Sequence, residues 1–195
     1  MAIMIETHTS MDIPYRDNCG GIMNVLKRGD VNCFNHFTDE RNIDSIRRSG
    51  GLFSWQYCID NNIYIARPGG DPLSQKCDRY YGNQDNIHLS FCNIHPMTRR
   101  LINDGYNLVL LKISTDVALF NDTQFSDMNA ADHLHQQGYG MEYLLKVNFS
   151  ATKLPGRNLL DKKYHQAEVL VRRFIPVKYI LNLNNPDSIS VNYFN

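Results

Sequence analysis

The feature that most constrains this chain is a strand-like apolar run in its last third, with a carboxylate near its start. The segment YHQAEVLVRRFIPVKYI contains the amide Gln166 and the carboxylate Glu168, separated by one residue. In an extended strand, residues i and i+2 project to the same face. We therefore expect Gln166 and Glu168 to face one cleft and to act as a pair.

Length and composition indicate one globular domain. With 195 residues and a hydrophobic fraction of 43%, the chain is long enough to bury a substantial core. No repeat, low-complexity tract or linker divides it, so we predict a single domain over residues 1–195. The apolar runs are far too short for a membrane span. The first residues, MAIMIETHTSMD, lack the features of a secretory signal, so we expect a cytoplasmic protein.

Charge and cysteine content argue against two classes of protein. Twenty basic and twenty acidic residues balance, which argues against a protein that holds duplex DNA through many phosphates but leaves a local contact open. The five cysteines contain no CxxC spacing, so neither a disulfide scaffold nor a zinc site is predicted. His133 and His135 would not share a helix face, and we expect no metal.

Periodicity and capping residues predict short helices among many strands. Helices are expected at residues 22–28, from Thr38 or Asp39 to Arg48, from Pro96 to Gly105, and from Ser126 or Asp127 to Gln137. Strands are expected at CFNHF, NIYIA, NIHLSFC, YNLVLLKI, MEYLLKVNF, AEVLVRRFI and VKYILNLN. Because regular βαβ spacing is lacking, this order favours an α+β domain.

Four segments, in order, resemble one family: HFTDERNIDSIRRSGGLFS, NIHLSFCNIHPM, FSDMNAA, and QAEVLV followed by IPVKYI. Together they resemble the DarT-type ADP-ribosyltransferases, toxins that use NAD to modify bases in single-stranded DNA. The resemblance covers residues 33–180 and leaves residues 1–30 as an N-terminal extension of unknown role. It implies an ADP-ribosyltransferase-like fold, in which two small sheets pinch an NAD cleft with flanking helices. It also implies a DarG-like macrodomain antitoxin as partner.

By this resemblance, Glu168 is the catalytic residue. Cleavage of the nicotinamide–ribose bond passes through an oxocarbenium-like sugar, which a carboxylate stabilises. Glu168 would also accept a hydrogen bond from the ribose 2′-hydroxyl. Gln166 would orient the acceptor base, and a similar QxE pair in guanine-modifying relatives favours guanine over thymine. The alternatives are a surface glutamate and a solvated glutamine.

The HxT signature, His36 and Thr38, is expected by the same resemblance to line the NAD pocket, with support from Asn42 at the helix start. The alternative is a packed histidine beside a capping threonine. The family also uses an arginine to bind the NAD phosphates and organise the cleft, and Arg79 is our candidate because a guanidinium makes bidentate contacts to a pyrophosphate. Lys76 and Arg67 are nearby competitors.

Substrate contacts are predicted at two further places. Met97 either presses against a flat ring or packs in the core. The segment FSATKLPGRNLLDKKY precedes the catalytic strand, where this fold carries its substrate-recognition loop, and an unpaired base would contact Tyr164 there. Its positive charge comes from Lys153, Arg157, Lys162 and Lys163; a solvated surface loop is the alternative.

Two other functions remain open at this stage. The enzyme could send ADP-ribose to RNA or to a protein side chain. The chain could also be a binding module that holds NAD or a nucleic acid without turnover, with Glu168 merely structural.

Overall fold

A large antiparallel sheet forms the centre of the molecule. The computed structural model describes residues 13–69 and 72–189. Within these residues the strands are β1 Phe34–Asp39, β2 Gly51–Phe53, β3 Asn86–Ser90, β4 Leu108–Ile113, β5 Gln124–Ser126, β6 Gln137–Tyr139, β7 Glu168–Arg172, β8 Phe174–Pro176 and β9 Asp187–Ser188. Seven of them, counted over this part of the chain, pair in the order β6-β5-β7-β3-β1-β4-β9, and β2 pairs with β8 in a small second sheet.

Short helices surround the sheets. They are α1 Cys19–Arg28, α2 Ile43–Arg48, α3 Trp55–Asp60, α4 Pro72–Tyr81, α5 Pro96–Asn103, α6 Gly140–Leu144, α7 Phe149–Lys153 and α8 Leu159–Tyr164, with 3-10 turns at Glu40–Asn42, Thr115–Leu119 and Val177–Tyr179. Among the helices of the described segments, none has both the length and the apolar character needed to cross a bilayer.

The main hydrophobic core joins α1 to the central strands. It includes Ile22 and Leu26 of α1, Phe34 of β1, Leu89 of β3 and Val169 of β7. Side chains of this size contribute roughly 1.5–3 kcal/mol each when fully buried. The predicted N-terminal extension therefore contains, in α1, a part of the core. The prediction about a secretory signal concerns residues 1–12, which lie outside the described residues.

Strand β7 lies between β5 and β3, and both pairings are antiparallel. In this register Glu168 is opposite Ser90 of β3 and Ser126 of β5. Val169, Leu170 and Val171 are almost fully buried, so both faces of β7 are covered, as expected for a central strand. Pairing with β3 and β5 on its two edges therefore determines where Glu168 lies.

Several local predictions are confirmed. Helix α1 ends at Arg28 with Gly29 as its C-cap, and α5 begins at Pro96. The Asp39 side chain caps the turn before α2 by accepting a hydrogen bond from the backbone N–H of Arg41. Strands β3, β4 and β7 lie within predicted strand segments, and β1 begins in one but continues two residues past it, to Asp39.

Four predicted elements are wrong. NIYIA is a loop, and its residues Ile63, Tyr64 and Ile65 line a cavity instead of joining a sheet. Residues 127–136 connect β5 to β6 instead of forming a helix, because the Asp127 carboxylate accepts from the Gln136 backbone N–H at 2.8 Å and closes the loop. MEYLLKVNF contains most of α6, in which Leu144 is fully buried, and it ends with the first residue of α7. VKYILNLN begins with a 3-10 turn and contributes only an isolated bridge, Ile113 to Ile180.

Candidate active site

A cavity of about 280 Å³ opens beside the central strands β1, β3 and β7. It collects five residues that the sequence predicts for the site: His36, Thr38, Asn42, Met97 and Glu168. Their roles remain predictions, but the fold brings them together from four separate elements.

Glu168 is the first residue of β7, and only 6% of its surface is exposed. Its Oε2 atom accepts a hydrogen bond from the backbone N–H of Ala130 at 2.9 Å and lies 3.3 Å from Nδ1 of His88. Among the described residues no hydrogen bond reaches Oε1. One carboxylate oxygen is therefore anchored by the protein, and the other is available to a ligand in the cavity.

His88 of β3 lies between two carboxylates. Its Nδ1 contacts Glu168, and its Nε2 lies 3.6 Å from Oδ1 of Asp78 on α4. Burial opposes the charged imidazole, but Glu168 and Asp78 outweigh burial and raise the pKa of His88 to about 9. Burial likewise opposes ionisation of Glu168, yet the charge and hydrogen bond of His88 hold the pKa of the Glu168 carboxyl below its ordinary value. At neutral pH the two groups form a buried ion pair.

Burial raises the pKa of the Asp78 carboxyl, and the negative charge of Glu168 adds to this effect, whereas His88 opposes it. Asp78 thus belongs to the same charge cluster as His88 and Glu168. The cluster contains two carboxylates and one imidazolium, all next to the cavity.

Two further histidines in the cavity are held as neutral rings. Nδ1 of His36 lies 3.1 Å from the carbonyl oxygen of His88. Because a carbonyl oxygen only accepts, this nitrogen carries the hydrogen and Nε2 of His36 is left as an acceptor. His95 accepts from the backbone N–H of Met97 at 3.2 Å and caps α5. Burial lowers the pKa of His36 and of His95.

Asn42 joins the first motif to the loop that precedes α4. Its Nδ2 donates to Oγ1 of Thr38 at 3.1 Å and to the carbonyl oxygen of Arg67 at 2.8 Å, and its Oδ1 accepts from the Arg67 backbone N–H at 3.1 Å. Asn42 therefore holds one wall of the cavity in place.

Arg67 is one of the residues that line the cavity, and its guanidinium carbon is 3.6 Å from the centre of the Tyr106 ring. It donates to the carbonyl oxygens of Asp104 and Gly105 at 2.8 and 2.7 Å. The sequence names Arg67 only as a competitor, whereas the structure places it next to the residues of the first motif.

Three predicted residues are not among those that line the cavity: Arg79, Gln166 and Tyr164. Arg79 is exposed on α4, with its guanidinium 5.0 Å from the Trp55 ring. The expected same-face pairing of Gln166 with Glu168 is wrong, because β7 begins at Glu168 and Gln166 lies in the turn after α8. There its Nε2 donates to the carbonyl oxygen of Lys162 at 3.1 Å.

The predicted basic segment is folded into α7 and α8, and its positive charge is partly compensated. Lys153 pairs with Asp30 at 2.8 Å and Lys163 pairs with Asp132 at 2.7 Å. Arg157 and Lys162 are exposed. The ion pair between Lys163 and Asp132 also connects α8 to the β5–β6 loop, which contains Ala130.

Sequence analysis did not identify His88, Asp78 or His95 as site residues. The alternation of Asn86, His88 and Ser90 with the apolar Ile87 and Leu89 was visible, and it indicates one polar face of β3. It does not indicate which strand lies beside that face. Over residues 13–69 and 72–189 no group of three or more histidine, cysteine or acidic residues is placed to hold a metal ion; the expected absence of a metal stays a prediction.

Comparisons with known proteins agree with this geometry. Residues 35–188 match the sequence model of a family described as "ssDNA thymidine ADP-ribosyltransferase, DarT". No curated protein sequence matches the chain. Among solved structures, Thermus sp. 2.9 DarT in complex with ADP-ribosylated ssDNA is similar with a TM-score of 0.65 and 16% identity, over 77% of this chain and 79% of that one.

The same Thermus protein in complex with NAD+ has a TM-score of 0.61 and 16% identity, over 77% of this chain and 80% of that one. Thermosipho africanus DarTG in complex with ADP-ribose has a TM-score of 0.61 and 15% identity, over 76% of this chain and 42% of that one. These likenesses confirm the predicted α+β fold, with one large and one small sheet instead of two small ones.

Proposed function

This chain belongs to the DarT family of NAD-dependent, single-stranded DNA ADP-ribosyltransferases, and on that premise we propose that its cavity holds NAD and that Glu168 catalyses the transfer. One observation carries this proposal. Glu168 is buried beside the cavity, its Oε2 is anchored by Ala130 and His88, and no hydrogen bond from the described residues reaches its Oε1.

The chemistry requires a negative charge next to the nicotinamide ribose. As the bond between ribose C1′ and the nicotinamide nitrogen breaks, the sugar gains oxocarbenium character, and a base nitrogen then bonds to C1′ and loses a proton. The lowered pKa of Glu168 keeps its carboxylate ionised at neutral pH. Oε1 would accept a hydrogen bond from the ribose hydroxyl and hold the charge near the ring.

We assign NAD binding to His36, Thr38 and Asn42, with Met97 as an apolar contact to substrate. The neutral His36 offers Nε2 as an acceptor, and Asn42 holds the cavity wall. For the arginine that binds the NAD phosphates, the cavity position supports Arg67 over Arg79. Arg79, the assignment from the sequence, is the alternative to Arg67.

For the acceptor base, the printed description of the family supports thymidine. The expectation of guanine was based on Gln166. The side chain of Gln166 donates a hydrogen bond to the Lys162 carbonyl oxygen, and Gln166 is not among the residues that line the cavity. We therefore propose thymine in single-stranded DNA as the first acceptor to test, with guanine as the alternative. Tyr164 remains a candidate contact to the unpaired base.

We also propose a DarG-like macrodomain antitoxin as partner and a cytoplasmic location. The Thermosipho africanus DarTG chain supports the first, because the region similar to this chain makes up only 42% of it. Residues 1–195 would form one catalytic domain, as the continuous core from Ile22 to Leu183 suggests.

The test is transfer of label from NAD to pools of single-stranded DNA, RNA and protein. We expect label on DNA with the intact chain, and loss of transfer with Glu168→Gln, which keeps the side-chain shape but removes the charge. Glu142→Gln, at an exposed position on α6, is the matched control and should retain activity. Label on RNA or protein alone, or full activity of Glu168→Gln, would reject the proposal.

A further inference from the structure

We propose that His88 is a positioning residue of this reaction: its imidazolium holds Oε2 of Glu168 and thereby reserves Oε1 for the substrate. The inference depends on the proposed function. It adds a role for His88, which takes no direct part in the proposed bond breaking or bond formation.

The geometry of the carboxylate supports this role. Two donors, the Ala130 N–H at 2.9 Å and Nδ1 of His88 at 3.3 Å, converge on the same oxygen of Glu168. A carboxylate fixed through one oxygen by two donors cannot rotate without losing both hydrogen bonds. The position of Oε1 is thus set before any substrate enters, which is the preorganisation that electrostatic catalysis depends on.

Two groups on other elements lie next to His88. Its backbone carbonyl accepts from His36 Nδ1 at 3.1 Å, and its Nε2 faces Oδ1 of Asp78 at 3.6 Å. Its place on β3, paired with β7 at Leu170, locates the ring on a rigid element. Sites built on strands are positioned more precisely than sites built on loops.

The charges around His88 favour its protonated form. The groups that face it are the carboxylates of Glu168 on β7 and Asp78 on α4, and the rings of His36 on β1 and His95 before α5. Burial keeps both of these rings neutral near pH 7, so the two carboxylates dominate. This agrees with the pKa of about 9 for His88.

Deprotonation of His88 would remove the positive charge beside Oε2, because the neutral imidazole keeps a hydrogen on only one nitrogen while it lies between two carboxylates. Activity should therefore decline as the pH rises through about 9. Without His88, burial would act on Glu168 with less opposition, and the pKa of the Glu168 carboxyl would rise. The acid limb of the pH–rate profile would then move to higher pH.

The experiment compares pH profiles of kcat and the KM for NAD in the full chain and in two variants. His88→Ala removes the anchor, and His88→Asn keeps a neutral donor without the charge. We expect His88→Ala to lower kcat by about tenfold to a hundredfold, to change the KM for NAD little, and to move the acid limb upward. His88→Asn should recover part of kcat and lack the basic limb near pH 9.

His133→Gln is the control, because the His133 side chain is 77% exposed, and it should keep the wild-type profile. If both His88 variants fail to fold, Asp78→Asn tests the same idea, since it leaves His88 in place and should move the basic limb to lower pH.

The outcomes separate the two proposals. If the wild type transfers ADP-ribose to DNA but the His88 variants keep its kcat and pH profile, or change only the KM for NAD, the positioning role is wrong and the function stands. If the basic limb of Asp78→Asn stays at the wild-type pH, the positioning role is likewise wrong and the function stands. If the wild type transfers nothing to DNA, both proposals are wrong.

Discussion

Nδ1 of His88 and Oε2 of Glu168 lie 3.3 Å apart, although 80 positions separate the two residues in the sequence. They meet because β3 and β7 are neighbours in the large sheet, in a register that sets Ser90 opposite Glu168 and Leu170 opposite His88. The pair is buried, and Asp78 approaches His88 from α4. The interaction between His88 and Glu168 therefore affects the stability of the protein as well as the proposed chemistry.

Stability should depend on pH through His88. Its pKa is raised from 6.5 to about 9 on folding, so the folded state binds the proton more tightly than the unfolded state. This contribution is fully present below pH 6.5 and is lost as the pH rises through about 9. We expect the free energy of unfolding to fall by on the order of 1–3 kcal/mol across this window.

Urea unfolding of the wild type and of His88→Asn at several pH values measures this contribution. The difference between the two proteins should shrink as the pH rises from 6.5 to 9. A difference that stays constant across the window would contradict the prediction.

Asn42→Ala should weaken NAD binding and lower stability. The substitution removes the hydrogen bonds to Thr38 and to both backbone groups of Arg67, which costs about 1–3 kcal/mol of stability for groups left unsatisfied. We expect the KM for NAD to rise about tenfold, because the cavity wall loses its support. Calorimetric NAD binding and thermal unfolding measure the two effects.

Asn24→Ala, at an exposed position on α1, is the control for Asn42 and should change neither quantity by much. Unchanged NAD affinity in Asn42→Ala would show that this wall is not part of the cofactor site.

Arg67 and Arg79 can be compared directly. Arg67 is one of the residues that line the cavity, and Arg79 is exposed with its guanidinium near the Trp55 ring. Replacing each by lysine keeps the charge but removes the planar pair of donors that suits a pyrophosphate. We expect Arg67→Lys to raise the KM for NAD about tenfold or more and Arg79→Lys to leave it near the wild-type value. The opposite result would support the sequence-based assignment to Arg79.

The modified base can be identified by mass spectrometry of nucleosides from an oligonucleotide treated with enzyme and NAD. We expect a thymidine adduct, and we expect Gln166→Ala to form the same product, since its side chain contacts Lys162 outside the cavity lining. A guanosine adduct, or a changed base preference in Gln166→Ala, would support the role in base recognition that the sequence predicts for Gln166.

Local patterns predicted the elements whose signals are unambiguous. Strands β4 and β7 are apolar runs of branched residues, and α5 begins at a proline and is followed by Gly105. The same reasoning failed at NIYIA, where the apolar residues 63–65 line the cavity. It also failed at α6, because a short apolar run does not by itself distinguish a strand from one buried face of a helix.

The residues of the candidate site also divide into those whose positions follow from local sequence and those whose positions do not. His36, Thr38 and Asn42 belong to one short motif, so their proximity needs only a strand and a following turn. Gln166 and Glu168 are just as close in sequence, yet they are not on one strand because α8 and its turn extend to residue 166.

The sequence by itself determined that a carboxylate stands at the start of a buried strand and that a histidine–threonine motif precedes it, and these features were enough to indicate the family. Only the tertiary structure decided which groups meet the carboxylate. His88 comes from β3 and Ala130 from the β5–β6 loop, and they reach Glu168 through non-local strand pairing. The physical reason is that periodicity along a strand specifies which side chains share a face, whereas the neighbours of that face depend on how distant strands pair.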